Sequence, residues 1–324
     1  MIQWGMIGAG SVTEQKSGPA FNKVPNSKLF GVMRRDAQKL KDYALRQQVP
    51  FYTTDVDALI AHPEINAIYI ATPPDVHEQY AIKALAAGKD VYVEKPMALT
   101  VAACERMQAF AQKANKKLVI AHYRRALPLF LKVKELIVNN EIGVVQSVNI
   151  RMHKYAMPKE SYDNNWRVQP AIAGGGFFYD LAPHQLDLVF YFFGKAISYD
   201  GFASNTAGLY EAEDTVHGKI EMESGIICNG DWCFVVDKGD EKDEFEIVGT
   251  QGKISFPVFG NSLTIQTNNQ EQTMEFDSPL HNQQNLIEKI VSYFLDNGEN
   301  PCSAADALQS MRVMEAFVYG KKLK

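Results

Sequence analysis

The stretch Ile2-Gln3-Trp4-Gly5-Met6-Ile7, followed by Gly8-Ala9-Gly10-Ser11-Val12-Thr13, decides how the chain is read. An apolar run of strand length gives way at once to two glycines one residue apart, then to residues that open a helix. In a dinucleotide-binding fold the first glycine permits the tight turn. The second lets a pyrophosphate approach the backbone, and the helix start then faces negative charge. Gly8, Gly10, Ser11 and Val12 are therefore candidate cofactor contacts. Thr13 stands where the pattern wants a third small residue, which predicts looser helix–strand contact there. Such a motif is weak alone; its place at the first strand–helix junction of the chain strengthens it.

Outward from residue 13 the same alternation continues. Residues 29–33 (LFGVM), 67–71 (AIYIA), 90–94 (DVYVE) and 118–122 (LVIAH) read as strands, several of them apolar on both faces. Between them, residues 36–48, 55–62, 75–88 and 100–116 carry helical spacing, with Asp36, Asp55, Asp75 and Thr100 as N-caps and Gly88 as a stop. This pitch predicts a doubly wound parallel α/β sheet over residues 1–121. After His122 the pattern changes. A helix over 127–140 leads to strand-like runs at 144–152, 214–223, 226–236, 243–250, 253–258 and 263–268, then two helices near 281–297 and 303–319. Residues 122–324 are thus expected to form an α+β domain with an open, mostly antiparallel sheet.

Composition narrows the function. The 324 residues are 46% hydrophobic and 22% charged, ordinary for two packed domains. A net charge of −5 argues against nucleic acid or an anionic membrane as partner, since either needs a clustered positive field. The four cysteines form no CxxC pair and fit no zinc spacing. No signal-peptide pattern or membrane-length apolar run is seen, so a soluble cytoplasmic protein is expected.

Three further features carry chemistry. At the end of the second strand, Val32-Met33-Arg34-Arg35-Asp36 puts two arginines where an NAD site has its ribose acid, with Asp36 read as a helix cap. Arg34 and Arg35 would clamp a 2′-phosphate, so NADP(H) is favoured and NAD(H) is the alternative; solvated surface charge is the plainer reading. Next, ATPPDVH (71–77) and VYVEKPMA (91–98) lie at C-terminal strand ends, where open α/β sheets bind ligands. Thr72, Pro73, His77, Glu94 and Lys95 are candidate cofactor contacts, and Lys95 is placed to meet a substrate hydroxyl. Read alone, it is equally a surface lysine. Finally, GGGFFYDLAPHQLD (174–187) places Asp180 and His184 at i and i+4 on one helix face. Pro183 fits only a first turn, which predicts a regular helix starting near Asp180, with the glycines admitting a ligand. Asp187 raises a metal site as an alternative, but no second histidine stands at ligand spacing and no metal is expected.

Together GAGSVT, ATPPDVH, AAGKDVYVEKP, HYRRALP (122–128) and GGGFFYDLAPHQLD resemble the glucose–fructose oxidoreductase and inositol dehydrogenase (Gfo/Idh/MocA) family over essentially the whole length. The resemblance implies an N-terminal Rossmann domain and a C-terminal domain whose open sheet makes homodimers or homotetramers. It implies NAD(P)-dependent hydride transfer to or from a secondary hydroxyl or ketone of a sugar, inositol or related polyol. By the same resemblance Lys95 contacts the reacting oxygen, His184 moves the proton, Asp180 positions the substrate and Arg167, after Trp166, reaches cofactor or substrate. The Lys95–Pro96 bond is expected to be cis. Two alternatives accompany this reading: a redox-assisted glycosidase that retains its cofactor, and a non-catalytic cofactor-binding sensor. The segments 155–166 and 201–213 are expected to shape the pocket.

Overall fold

The structure is a computed structural model that describes residues 1–268 and 270–320. Contacts group the described residues into two compact units, residues 1–123 with 279–308, and residues 124–268 and 270–278 with 309–320. Residues 279–308 therefore join the first unit, whereas a single division at 121/122 assigns them to the second.

The first unit runs β1 (Ile2–Ile7), α1 (Ser11–Gln15), α2 (Ala20–Lys23), β2 (Ser27–Met33), α3 (Ala37–Arg46), β3 (Phe51–Thr53), α4 (Val56–Ala61), β4 (Ala67–Ile70), α5 (His77–Ala86), β5 (Asp90–Val93), α6 (Val101–Ala114) and β6 (Leu118–Ile120). The strands form one sheet in the order β3-β2-β1-β4-β5-β6 with every pair parallel. That is the doubly wound order, with its reversal between β1 and β4. Asp36, Asp55 and Thr100 cap α3, α4 and α6, each accepting backbone N–H groups of the first turn. Asp75 does not cap: the prolines before it set a short 3₁₀ turn over Pro74–Val76, and α5 begins only at His77. β3, at three residues, is too short to show a periodicity.

Buried rings fill one side of this sheet. Trp4 lies 4.9 Å from Phe21, Phe21 5.2 Å from Tyr69, and Tyr69 stacks on Tyr92 at 4.8 Å. Such contacts add about 0.5–1.5 kcal/mol each beyond area burial.

The second unit contains α7 (Pro128–Val138), β7 (Val145–Tyr155), α8 (Pro170–Ala173), α9 (Gly176–Phe193), β8 (Ala196–Ser204), β9 (Thr215–Met222), β10 (Ile227–Val236), β11 (Lys242–Gly249), β12 (Gly252–Phe256), β13 (Ser262–Thr267) and β14 (Gln270–Glu275). Its sheet order is β14-β13-β12-β11-β7-β10-β9-β8, antiparallel except for the parallel β7–β10 pair. In β11 the buried Phe245 and Ile247 alternate with outward Glu244 and Glu246, the pattern of a sheet with one open face. The two strands that sequence patterning misses, β8 and β14, are the two edges. An edge strand is held on one side only, and its polar residues show no clean alternation.

α9 corrects a second expectation. The helix starts at Gly176, not near Asp180, and Pro183 sits inside it. An interior proline costs about 3 kcal/mol because it has no N–H for the carbonyl four residues back. Burial of Phe178, Tyr179, Ala182, Leu186 and Val189 along the helix outweighs that cost.

The chain closes with α10 (Gln284–Phe294) and α11 (Ala304–Tyr319). Phe294 of α10 reaches Trp4 at 5.5 Å, which ties the returning segment to the core of the first unit. Among the described residues, no helix is long and apolar enough to cross a membrane.

Within the second unit, Phe317 of α11 packs flat on β8 and β9 because Gly201 and Gly218 carry no side chain. A Cβ at Gly218 would run into the Phe317 ring. Gly218→Ala should therefore cost about 1–3 kcal/mol in urea unfolding, the usual range for overpacking. Adding Phe317→Leu should recover part of that loss. An alanine variant as stable as the parent would contradict this packing.

Candidate functional site

The exits of β1 and β4 lie side by side, and this contact shapes the glycine loop. Gly8 has φ +96°, and a Cβ there would sit 2.9 Å from the Ala71 carbonyl carbon and from Thr72 Cγ2. The protein itself therefore requires glycine at position 8. Gly10 is different. Its φ of −109° and ψ of −165° suit any residue, and a Cβ would meet nothing closer than the Gly8 carbonyl oxygen at 3.9 Å. No internal contact explains the missing side chain, whereas a pyrophosphate approaching the backbone does. The residues present thus fit a dinucleotide.

Thr13 is fully buried, and its hydroxyl donates to the Gly10 carbonyl at 2.9 Å. The contact expected to be loose is closed by that hydroxyl. α1, which Ser11 opens and Val12 follows, has five residues, so its attraction for an anion comes from first-turn N–H groups rather than from a long dipole.

At the exit of β2, Arg34 folds back onto the same loop. Its Nη1 donates to the Ala9 carbonyl at 2.6 Å, which uses one of the five guanidinium donors. Arg35 is exposed. Asp36 accepts from the backbone of Gln38 and Lys39 at 3.1 and 3.0 Å, and these bonds, that of Lys39 foremost, hold its pKa below the ordinary value. The acid nearest the ribose position is committed to capping, and the arginine beside the loop is not.

The two turns after β4 and β5 are joined by His77. Thr72 and Pro73 are half-buried at the first turn, but His77 is fully buried. Its Nε2 lies 2.8 Å from the Thr72 carbonyl and its Nδ1 3.0 Å from the Pro96 carbonyl. Burial pulls its pKa below the ordinary value. The ring is spent between two backbone carbonyls, so its influence on a ligand passes through the turns it ties. The Lys95–Pro96 bond is cis, as the resemblance implied. Lys95 is half-exposed within a run, residues 91–98, that is otherwise buried. Glu94 is turned inward: its Oε1 accepts from Tyr69 and from Gln283, both at 2.6 Å. Gln283 lies in no motif, and nothing local in the sequence marks it.

In the second unit the three residues of the D-x-x-x-H-x-x-D pattern have different surroundings. Asp187 is buried and accepts a bidentate pair from Arg125, at 2.7–3.0 Å. Asp180 is half-exposed and accepts from Arg167 Nε at 3.0 Å, while the Arg167 guanidinium lies 4.6 Å above the Trp166 ring. Both carboxylates thus face guanidinium groups. His184 is 5% exposed, and Phe259 meets its ring edge-on at 5.5 Å. The Arg124 guanidinium stacks on Phe259 at 4.3 Å. Phe259, in the turn after β12, was not legible as a neighbour of His184.

The glycines that open this pattern differ from the expectation of ligand access. Cβ atoms at Gly174 and Gly175 would press on the Tyr179 ring at 2.6 and 2.5 Å, and one at Gly176 would lie 2.7 Å from Ala212. Internal packing demands all three. Of the expected pocket segments, 201–213 is built around buried Asp214, which accepts from Thr206 and Ala207 backbone at 2.8–2.9 Å.

Residues 2–122 match the family model described as the oxidoreductase family, NAD-binding Rossmann fold, and residues 134–320 match that family's C-terminal alpha/beta domain. "Oxidoreductase P35" of Formosa agariphila is 41% identical over 320 residues, covering 98% of each chain. The 1,5-anhydro-D-fructose reductase of Ensifer adhaerens is 25% identical over 256 residues, covering 78% of this chain and 75% of the reductase. Among solved structures, the aldose–aldose oxidoreductase of Caulobacter crescentus in complex with glycerol superposes with a TM-score of 0.87. It is 23% identical and covers 100% of this chain and 99% of its own. Two matched domains in sequence, joined to the strand order and the glycine loop above, make this chain a member of the Gfo/Idh/MocA family of oxidoreductases.

Proposed function

We propose that the protein transfers a hydride between a nicotinamide dinucleotide, preferably NADP(H), and a secondary hydroxyl or ketone of a sugar, inositol or related polyol. The observation that carries this reading is Gly10, glycine without an internal cause, beside an arginine folded onto its loop. The relatives' names point to sugars and their reduced or anhydro forms.

When bound, the nicotinamide supplies the hydride acceptor or donor. The backbone from Gly8 to Val12 takes the pyrophosphate, and Arg34, with Arg35 beyond it, takes the 2′-phosphate. Thr72 and Pro73 form a stiff wall for the nucleotide. Lys95 stabilises charge developing on the reacting oxygen, and His184 takes the hydroxyl proton in oxidation and returns it in reduction. Asp180 orients the substrate, and Arg167 limits where its carboxylate points. The open face of the eight-stranded sheet is read as the surface where copies of the chain associate. None of the four cysteines is in a disulfide and three are buried, which suits a reducing compartment such as the cytoplasm.

Cofactor choice is tested by following the reduced-nicotinamide absorbance with D-glucose, 1,5-anhydro-D-fructose, myo-inositol and glycerol. A lower KM for NADPH than for NADH is expected. Arg34→Ala should raise the NADPH KM by about 10–100-fold, the worth of a charged hydrogen bond, while moving the NADH value little. An equal or lower KM for NADH in the parent would contradict the preference.

The residue roles are tested separately. Lys95→Met and His184→Asn should each lower kcat by about 10²–10⁴-fold, as loss of a general acid–base group does. Parental turnover in both would overturn the assignment.

A further inference from the structure

A buried polar network surrounds the Glu94–Lys95–Pro96 turn, and its outer member comes from 189 residues further along the chain. Tyr92 donates its hydroxyl to Gln283 Oε1 at 2.7 Å, and Gln283 Nε2 donates to Glu94 Oε1 at 2.6 Å. Tyr69 donates to the same oxygen at 2.6 Å. The other carboxylate oxygen, Oε2, accepts the Lys95 backbone N–H at 3.3 Å. Burial, the largest cause, holds both phenols well above their ordinary pKa, so Tyr69 and Tyr92 stay donors. A donor on one side and an acceptor on the other leaves the middle place to an amide. Leucine offers neither group and glutamate offers only acceptors once ionised.

Gln283 is itself held firmly. It is 1% exposed, and its backbone N–H donates to the Lys16 carbonyl at 3.2 Å. Two residues earlier, His281 accepts the Lys23 ammonium at Nε2, 2.8 Å away, and gives Nδ1–H to the Gln15 carbonyl at 2.5 Å. The returning segment is thus sewn to the chain that follows the glycine loop. On the other side of the turn, the Pro96 carbonyl faces His77. The backbone that carries the Lys95 side chain is bounded by Glu94 before it and by His77 after it.

We infer that Gln283 is a positioning residue for Lys95: it fixes the Glu94 carboxylate, which holds the Lys95 N–H and so sets the direction of the lysine side chain. This rests on the reading of Lys95 given above.

Gln283→Glu and Gln283→Leu test it. In Gln283→Glu a protonated carboxyl at position 283 reproduces both bonds of the amide. Once ionised it sets two carboxylates together, an arrangement that raises the pKa of the pair. The Gln283→Glu variant should therefore behave as the parent at about pH 5.5 and fail at about pH 8, a span over which a strongly coupled carboxyl pair titrates. Hydrogen exchange by mass spectrometry on peptides covering residues 94–97 reads Lys95 and Met97, since proline has no amide, and needs no substrate. Corrected for intrinsic pH dependence, exchange in Gln283→Glu should rise about tenfold between those two pH values, as a local opening does when its bonds are lost. Over the same range its kcat relative to the parent's at the same pH, on the best substrate of the panel, should fall about tenfold with the cofactor KM nearly unchanged. Gln283→Leu should show both losses at every pH, and the parent neither.

A pH-flat Gln283→Glu, or altered exchange with parental kcat, would overturn the inference. Lys95→Met keeps the two readings apart. Parental turnover there overturns the role of Lys95 itself. Lost turnover there, with a pH-flat Gln283→Glu, overturns only the inference.

Discussion

The first unit depends on one steric constraint, the approach of the β1 exit to the β4 exit. The strand order reverses at that pair, and Gly8 lies so close to Ala71 and Thr72 that no side chain fits. Parallel strands must carry their connections across the sheet faces, so the chain leaving β1 and the chain leaving β4 turn to opposite faces there. The gap left at their ends is bordered by the glycine loop, the Thr72–Pro73 turn and Arg34. The loop's second glycine is the one residue whose side-chain loss the protein does not itself demand. That asymmetry between Gly8 and Gly10 separates a folding requirement from a ligand requirement within three residues.

The first unit buries Glu94 and the second buries Asp187, and each carboxylate meets hydrogen-bond donors. Glu94 is inward and receives donors from Tyr69, Gln283 and its own neighbour's backbone. Asp187 is matched by a bidentate guanidinium, and an unmatched buried carboxylate would cost several kcal/mol. These networks order the turns on which candidate reactive groups stand. The cost of burying them is offset locally, and the half-exposed Lys95 is left at the rim of an otherwise buried run.

Much of this was legible in the sequence, and the exceptions have physical causes. The central parallel strands read correctly because both faces are buried and the runs are continuously apolar. The caps at Asp36, Asp55 and Thr100 read correctly because a side-chain oxygen and a helix start are adjacent in sequence. Strands β8 and β14 did not, because edge strands lack the two-sided constraint that creates a pattern. The start of α9 was misplaced because tertiary burial overrode the local cost of Pro183. Glycines 174–176 looked like Gly10, and only three-dimensional contacts reveal that packing claims them. Gln283 and Phe259 were invisible for a simpler reason: their partners, Glu94 and His184, are far away in sequence, and neither residue type announces its role. The candidate reactive groups were named from motifs, and so were Glu94 and His77 beside them, whereas Gln283 and Phe259 were not.

The central claim is that the loop of residues 8–12 is shaped for a nicotinamide dinucleotide. It is tested most directly by calorimetric titration of NADPH and NADH into the parent and Gly10→Val. The backbone at Gly10 is extended and a Cβ there meets nothing closer than 3.9 Å, so the variant should unfold within about 0.5 kcal/mol of the parent, as substitutions away from packed contacts do. Its affinity for both nucleotides should nevertheless fall about tenfold or more, because the side chain would stand where the phosphates approach. A stable Gly10→Val that binds both nucleotides as tightly as the parent would contradict the account.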